Sequence, residues 1–206
     1  MIMNVYRAYD AQNDSDDSKD ANEEASAGLM QKMMKTRTIL LSGEVDKSLA
    51  ERVVRQLLLL EADGDEPVRV FIDSPGGDAD AGYAILDMMR FITPKVITVG
   101  MGLVASAGAL ILLGAEKEDR VALPNSHYLI HQPLSGMRGV ASDIEIHAAE
   151  IEKMRVRINA LISDETGQDL AKVEKDTDRD FWMSATEAVE YGLVSRIVKH
   201  RDELSG

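Results

Sequence analysis

Of 206 residues, 36 are acidic and 23 basic, a formal charge of −13 that argues against nucleic acid or an anionic membrane as the main partner. There is no cysteine, which excludes disulfide frameworks, thiol nucleophiles, iron–sulfur clusters and thiolate zinc sites, and makes the cytoplasm the expected location. No apolar run reaches the roughly 20 residues of a membrane-spanning helix, and the opening MIMNVYRAYDAQNDSDD lacks the basic and apolar regions of a targeting signal.

Residues 1–36 read as an acidic, mobile leader and 37–206 as one globular domain. Between Asp10 and Glu24 stand seven carboxylates and one lysine, too little apolar surface to offset the entropy of ordering. From Arg37 the pattern changes. Short β-branched runs at Thr38–Ser42, Val68–Ile72 and Val96–Gly100 predict buried strands. Between the first two, Ser48 and Glu51 form an expected capping box ahead of the stripe Leu49, Val53, Leu57 and Leu60. Helices are expected from about Asp80 to Phe91 and from about Ser106 to Leu113, then short strands at Val121–Leu123 and Tyr128–Ile130, with His127 and His131 on one face of the latter. A long helix follows, with Ser142 and Glu145 as a second box and Ile144, Ala148, Ile151, Met154, Ile158 and Leu161 as its stripe. Ser184 and Glu187 make a third box, before a short helix closed by Gly192 and a last strand from Leu193 to Val198. Strands alternating with helices imply an α/β fold with a largely parallel sheet.

Ser106 lies in Gly102-Leu-Val-Ala-Ser106-Ala-Gly-Ala109, after a strand and at the start of an apolar helix. Small neighbours let a substrate approach, and free N–H groups there can receive developing negative charge. The same residues also fit tight helix–sheet packing with Ser106 as a simple cap. Val104 stands where the Gly-x-Ser-x-Gly elbow requires glycine. His131 falls at the C-terminal edge of its strand, where open α/β sheets bind ligands. Ser74-Pro-Gly-Gly77 is a second glycine-rich turn whose successive N–H groups can form an anion nest, and no Gly-Lys-Ser/Thr follows it to suggest phosphate binding. A carboxylate to orient His131 is available in the run Glu174–Trp182, where Asp176, Asp178 and Asp180 are equal candidates.

Several separated motifs together resemble the proteolytic subunit family of the Clp protease. They are Phe71-Ile-Asp-Ser-Pro-Gly-Gly77, Met101-Gly-x-x-Ala-Ser106-x-Gly-Ala109, Leu123-Pro-Asn125, Ile130-His-Gln-Pro133 with Asp143-Ile-Glu-Ile-His147, and Asp176-Thr-x-Arg-Asp180 with Ala188-Val-Glu-Tyr-Gly-Leu193. The resemblance runs in register from about Arg37 to Val198. It implies the ClpP/crotonase-like spiral of β-β-α units with a protruding handle helix. It also implies a serine endopeptidase that hydrolyses unfolded polypeptides through an acyl-enzyme, with Ser106 as nucleophile, His131 as general base and then acid, and Asp180 as its orienting partner. Gly77 and Ala107 would be the oxyanion donors, and Gly76, Leu134, Ser135 and Gly136 would pair with substrate as an added strand. No metal or cofactor is implied, since ATP would be used by the partner.

The partners implied are further copies in stacked heptameric rings (a tetradecamer) and a hexameric AAA+ unfoldase of the ClpX, ClpA or ClpC type, with neither nucleic acid nor membrane. Phe71 and Phe91 would line the family's docking clefts. Departures include Ala107 for a common methionine, Leu103 for a common glutamine, and Gly28-Leu-Met-Gln-Lys32 in place of an Asp-Ile-Tyr-Ser-Arg-like element. The alternatives are a catalytically silent or partner-activated subunit of a mixed ring, and a crotonase-fold acyl-CoA enzyme. The latter gives no reason for a Ser106 and His131 pair.

Overall fold

A computed structural model describes residues 28–204, so the acidic stretch from Asp10 to Glu24 lies outside the described residues. The described residues divide into two units, the first ending at Thr38 and the second running on from Ile39. Within the first, residues 28–35 form helix α1, whose end is closed by Thr36 donating its hydroxyl to Met33 O at 2.8 Å.

The second unit is built on a seven-stranded sheet. Its strands are β1 (Thr38–Ser42), β2 (Val68–Ser74), β3 (Val96–Ala105), β4 (Arg120–Ala122), β5 (His127–Ile130), β6 (Phe181–Ser184) and β7 (Arg196–Ile197). The main path runs β1-β2-β3-β4-β7, and β5 leaves it to pair with β3 and β6. The pairs β2–β3, β3–β4, β3–β5 and β4–β7 are parallel, and β5–β6 is antiparallel. The expected largely parallel sheet is therefore present, with one antiparallel addition.

Strand β3 serves two neighbours in succession. Thr98–Gly100 pair with β4, whereas Leu103–Ala105 pair with β5. Between them Gly102 has φ +53°, and a Cβ there would come within 2.6 Å of Asp73 Oδ1, the atom that accepts from the Leu103 N–H at 3.0 Å. A residue without a side chain thus lets one strand turn off the main sheet, and this turn carries the next residue of interest, Ser106, towards β5.

Helices α2 (Lys47–Asp63), α3 (Ala79–Phe91) and α4 (Ala107–Leu112) cover the sheet, and α5 (Ala141–Thr166), α6 (Leu170–Thr177) and α7 (Ala185–Tyr191) follow. The predicted stripe of α2 is its buried face: Leu49, Val53, Leu57 and Leu60. All six residues of α4 are buried, as expected for a helix apolar on every side. Ile97, Val99, Val121, Val198 and Leu204 close a further core, against which Phe71 packs.

Several sequence expectations need correction. The α2 cap is Asp46, whose carboxylate accepts from Leu49 N at 2.7 Å. The helix therefore begins before Ser48, and Glu51 pairs with Arg55 one turn on. Likewise α5 starts at Ala141 after Val140, with no side-chain cap, so Ser142 lies inside the first turn. The third box, Ser184 with Glu187, is formed in full. The last strand is only Arg196–Ile197, because the Leu193 and Val194 N–H groups both return to Ala188 O at the end of α7 and cannot join a ladder. His131 stands just past β5, which ends at Ile130. The charged run Glu174–Trp182 is the end of a helix and the start of a strand. Only Val173 and Thr177 of α6 are buried, too thin a stripe to show through its charges. No helix among the described residues is long and apolar enough to cross a membrane.

Candidate active site

Parallel pairing sets the ends of β3 and β5 side by side, with Ala105 opposite Leu129. Continuing that register, the Ser106 N–H donates to Leu129 O at 2.9 Å, and the Ser106 carbonyl accepts from Ala109 N at 2.9 Å and Leu110 N at 3.1 Å. These bonds hold Ser106 at φ 54° and ψ −119°, a region unfavourable for a residue with a Cβ, at a cost on the order of 1–3 kcal/mol. Its hydroxyl makes no helix-capping bond, so the reading of Ser106 as a simple cap fails. Among the described residues that hydroxyl has no hydrogen-bond partner, and Ser106 is half-buried; backbone strain of this kind concentrates at functional sites.

Antiparallel pairing of β5 with β6 places Ile130 opposite Phe181. One step further, the same register sets His131 against Asp180, and the His131 Nδ1 and Asp180 Oδ1 atoms are 3.0 Å apart. His131 is 24% exposed and Asp180 62%. Neither of the other two candidates is bonded to His131. Asp176 accepts from Lys172 Nζ at 2.6 Å and from the Tyr191 hydroxyl at 3.1 Å, while Asp178 contributes its backbone carbonyl to Gln132 Nε2 at 2.6 Å. Geometry thus selects Asp180 from the three candidates that local sequence left open. An ionised carboxylate only accepts, so Nδ1 of the neutral imidazole carries the proton and Nε2 keeps a lone pair.

The Ser74–Gly77 turn lies directly against Ser106. Ser74 is fully buried; its hydroxyl donates to Gly43 O at 2.6 Å and accepts from the Gly76 N–H at 3.1 Å. Gly76 has φ +93°, and a Cβ on it would be 2.6 Å from Ser106 Cβ and 3.0 Å from Ala107 N. Val45 pins the turn from behind, its N–H donating to Gly76 O at 2.8 Å and its carbonyl accepting from Asp78 N at 2.7 Å. Between these two bonds the Gly77 N–H is left with no acceptor among the described residues. The Ala107 N–H, first in α4, also has none outside its own helix.

A cavity of about 740 Å³ gathers these groups. Ser106, His131, Gly77 and Ala107 line it with Leu134 and Ser135, opposite a wall from α5 that includes His147, Ile151 and Met154. Asp180 stands behind His131, outside the lining. Of the remaining candidates, Gly76 abuts Ser106, and Gly136 lies in an exposed, irregular segment with nothing within 4 Å of a would-be Cβ. His127 is exposed at the far end of β5 and opposes Ser184. His147, which the sequence offered within a family motif but gave no role, lies 3.0 Å from Ser135 through its Nε2, and its place in the cavity wall is seen only once the chain is folded.

A family model described as Clp protease matches residues 21–201. ATP-dependent Clp protease proteolytic subunit 2 of Treponema denticola is 58% identical over 93% of this chain and 96% of its own length. The protein of the same name from Borreliella burgdorferi is 52% identical over 84% and 87%. A solved ClpP1 point mutant from Listeria monocytogenes superposes with a TM-score of 0.80 at 52% identity, covering 85% of this chain and 99% of that one.

Proposed function

The chain belongs to the Clp protease family as a serine-type peptidase subunit with the ClpP/crotonase-like fold, and from that premise we propose that Ser106 is its nucleophile, His131 its general base and acid, and Asp180 the group that orients His131. Nε2 of His131 takes the Ser106 proton as Oγ attacks the peptide carbonyl, general-base assistance worth roughly 10²- to 10⁴-fold. The carbonyl oxygen, now anionic, is received by the Gly77 and Ala107 N–H groups. His131 then delivers the proton to the leaving amine, the acyl-enzyme remains on Ser106, and a water activated by the same imidazole releases the acid. Asp180 stabilises the imidazolium while it exists. No metal or cofactor takes part in this scheme.

The observation that carries the reading is the strained, uncapped Ser106 sharing a cavity with a histidine whose far nitrogen is held by Asp180. Gly76, Leu134, Ser135 and Gly136 pair with substrate as an added strand, so backbone groups supply the affinity and cleavage tolerates many sequences. Unfolded polypeptide reaches the site from a hexameric AAA+ unfoldase of the ClpX, ClpA or ClpC type. Chains assemble as two stacked heptameric rings in the cytoplasm. Phe91, 77% exposed, contributes to docking of the unfoldase.

Hydrolysis of a fluorogenic peptide by the wild type, with loss in His131→Ala and retention in His127→Ala, is the expected result; the reverse pattern would exchange the two histidines. Light scattering should give a species many times 22.6 kDa, and a persistent monomer in the assay would defeat the ring assembly. A second reading, activation by a partner ring, is favoured by one observation: the Ser106 hydroxyl makes no bond to His131 in the single chain. It requires the isolated subunit to be silent and to gain activity when a partner subunit is added.

A further inference from the structure

We infer that His147 is a positioning residue for peptide binding, which from α5 holds, through Ser135, the segment that receives substrate. This deepens the proposed function and rests on its reading of Leu134 to Gly136 as that segment. The chain from Gln132 to Gly139 has no regular secondary structure. At its start it is tied down by the Gln132 N–H, which donates to Thr177 O at 2.6 Å, and by Gln132 Nε2 on Asp178 O. At its other end it enters α5. Between Pro133 and Gly139 the 3.0 Å contact of Ser135 Oγ with His147 Nε2 is the one hydrogen bond to the rest of the described residues.

The helix side supports the same inference. Of residues 141–150 every one is exposed except His147, which is half-buried. Over the first turns of α5 His147 is thus the one side chain that is partly covered, and it and its partner both line the cavity holding Ser106. Leu134, next to the tie, is 92% exposed, so apolar packing does not substitute for it. A hydroxyl both donates and accepts, as does an imidazole across its tautomers, which suits the pair to a permanent hold. Without it the segment is free on one side and must be ordered again each time a peptide binds. The loss falls on substrate binding, while the Ser106 and His131 geometry, fixed by β3, β5 and β6, stays as it is.

The test uses the full chain and a fluorogenic peptide extending several residues on both sides of the scissile bond. His147→Ala should raise KM about three- to tenfold, the range one hydrogen bond supplies, with kcat within about twofold. His147→Gln, whose amide reaches the same hydroxyl, should recover most of the loss. Ser135→Ala, which leaves α5 untouched, should give the same rise, and the double variant no more than either single one. Unchanged KM in Ser135→Ala, additive effects in the double variant, or a fall in kcat alone would overturn the inference. Modification of Ser106 by diisopropyl fluorophosphate, which uses none of this segment, separates the two levels. Equal labelling across the series leaves the proposed nucleophile standing whatever KM does, whereas no labelling of the parent protein would sink the reading beneath it.

Discussion

Gly76→Ala would put the packing between the Ser74–Gly77 turn and Ser106 under direct strain. The added methyl would lie 2.6 Å from Ser106 Cβ and 2.7 Å from Ala105 O, against the 3.4 Å at which ordinary contact begins, so the turn must back away by about 0.8 Å. Adopting φ +93° with a Cβ costs about 1–2 kcal/mol, and the overlap about 1–3 kcal/mol more. The Val45 bonds on the other side of the turn resist the retreat, which spreads the cost into β1 and α2. Oxyanion donors act over 2.7–3.1 Å, so displacing the Gly77 N–H by that amount removes it, a loss of about 10²- to 10³-fold in kcat. Thermal unfolding followed beside peptide hydrolysis should show a Tm lower by at least about 4 °C, at about 2–4 °C per kcal/mol for a chain of this size. A variant with wild-type kcat and Tm would refute the close approach of turn and serine on which the oxyanion assignment depends.

Asp180→Asn should cut kcat by on the order of 10²- to 10⁴-fold, since an amide no longer enforces the Nδ1–H tautomer, while Asp176→Asn, whose carboxylate serves Lys172 and Tyr191, should stay within a few-fold in the same initial-rate assay. Burial pushes the Tyr128 phenol up to about 12, with a smaller opposing effect from the Ser126 hydroxyl. Between pH 10 and 12 the folded chain therefore keeps a proton that the unfolded chain has lost, and stability falls with rising pH by about 2–3 kcal/mol in all. Urea midpoints at pH 9 and 11.5 should diverge in the wild type and less so in Tyr128→Phe; equal slopes would contradict the assignment. Arg120 is buried at 1% exposure, donates to Ala115 O at 2.8 Å and to Glu165 O at 3.1 Å, and pairs with the Glu165 carboxylate. Arg120→Ala should destabilise by about 3–5 kcal/mol in the same denaturation experiment, and an unchanged midpoint would show that this pairing is not needed.

The local sequence carried the main strands, the buried stripe of α2, the Ser184 box and the residues around Ser106, because each shows in a window of a few residues. Its failures have a common form. Ser48 and Ser142 are good caps in isolation, yet Asp46 and the incoming loop at Val140 begin those helices sooner. Strand β6 is invisible because its Trp182 is exposed and its preceding residues are charged; it exists through pairing with β5. That pairing also decides among Asp176, Asp178 and Asp180, for the register of β5 against β6 is a property of two segments distant along the chain. Ser106 could be read either as a cap or as a nucleophile until its positive φ and free hydroxyl were seen. Resemblance to a family singled out in advance the aspartate that lies beside His131, whereas the residues themselves could not.

The central claim is that one hydroxyl, that of Ser106, is activated by His131. Mass mapping of the chain after reaction with diisopropyl fluorophosphate tests it most directly. A single phosphoryl adduct on the peptide containing Ser106, slowed strongly in His131→Ala and absent in Ser106→Ala together with peptide hydrolysis, is the result predicted. An adduct on another residue, or hydrolysis that survives in Ser106→Ala, would contradict it.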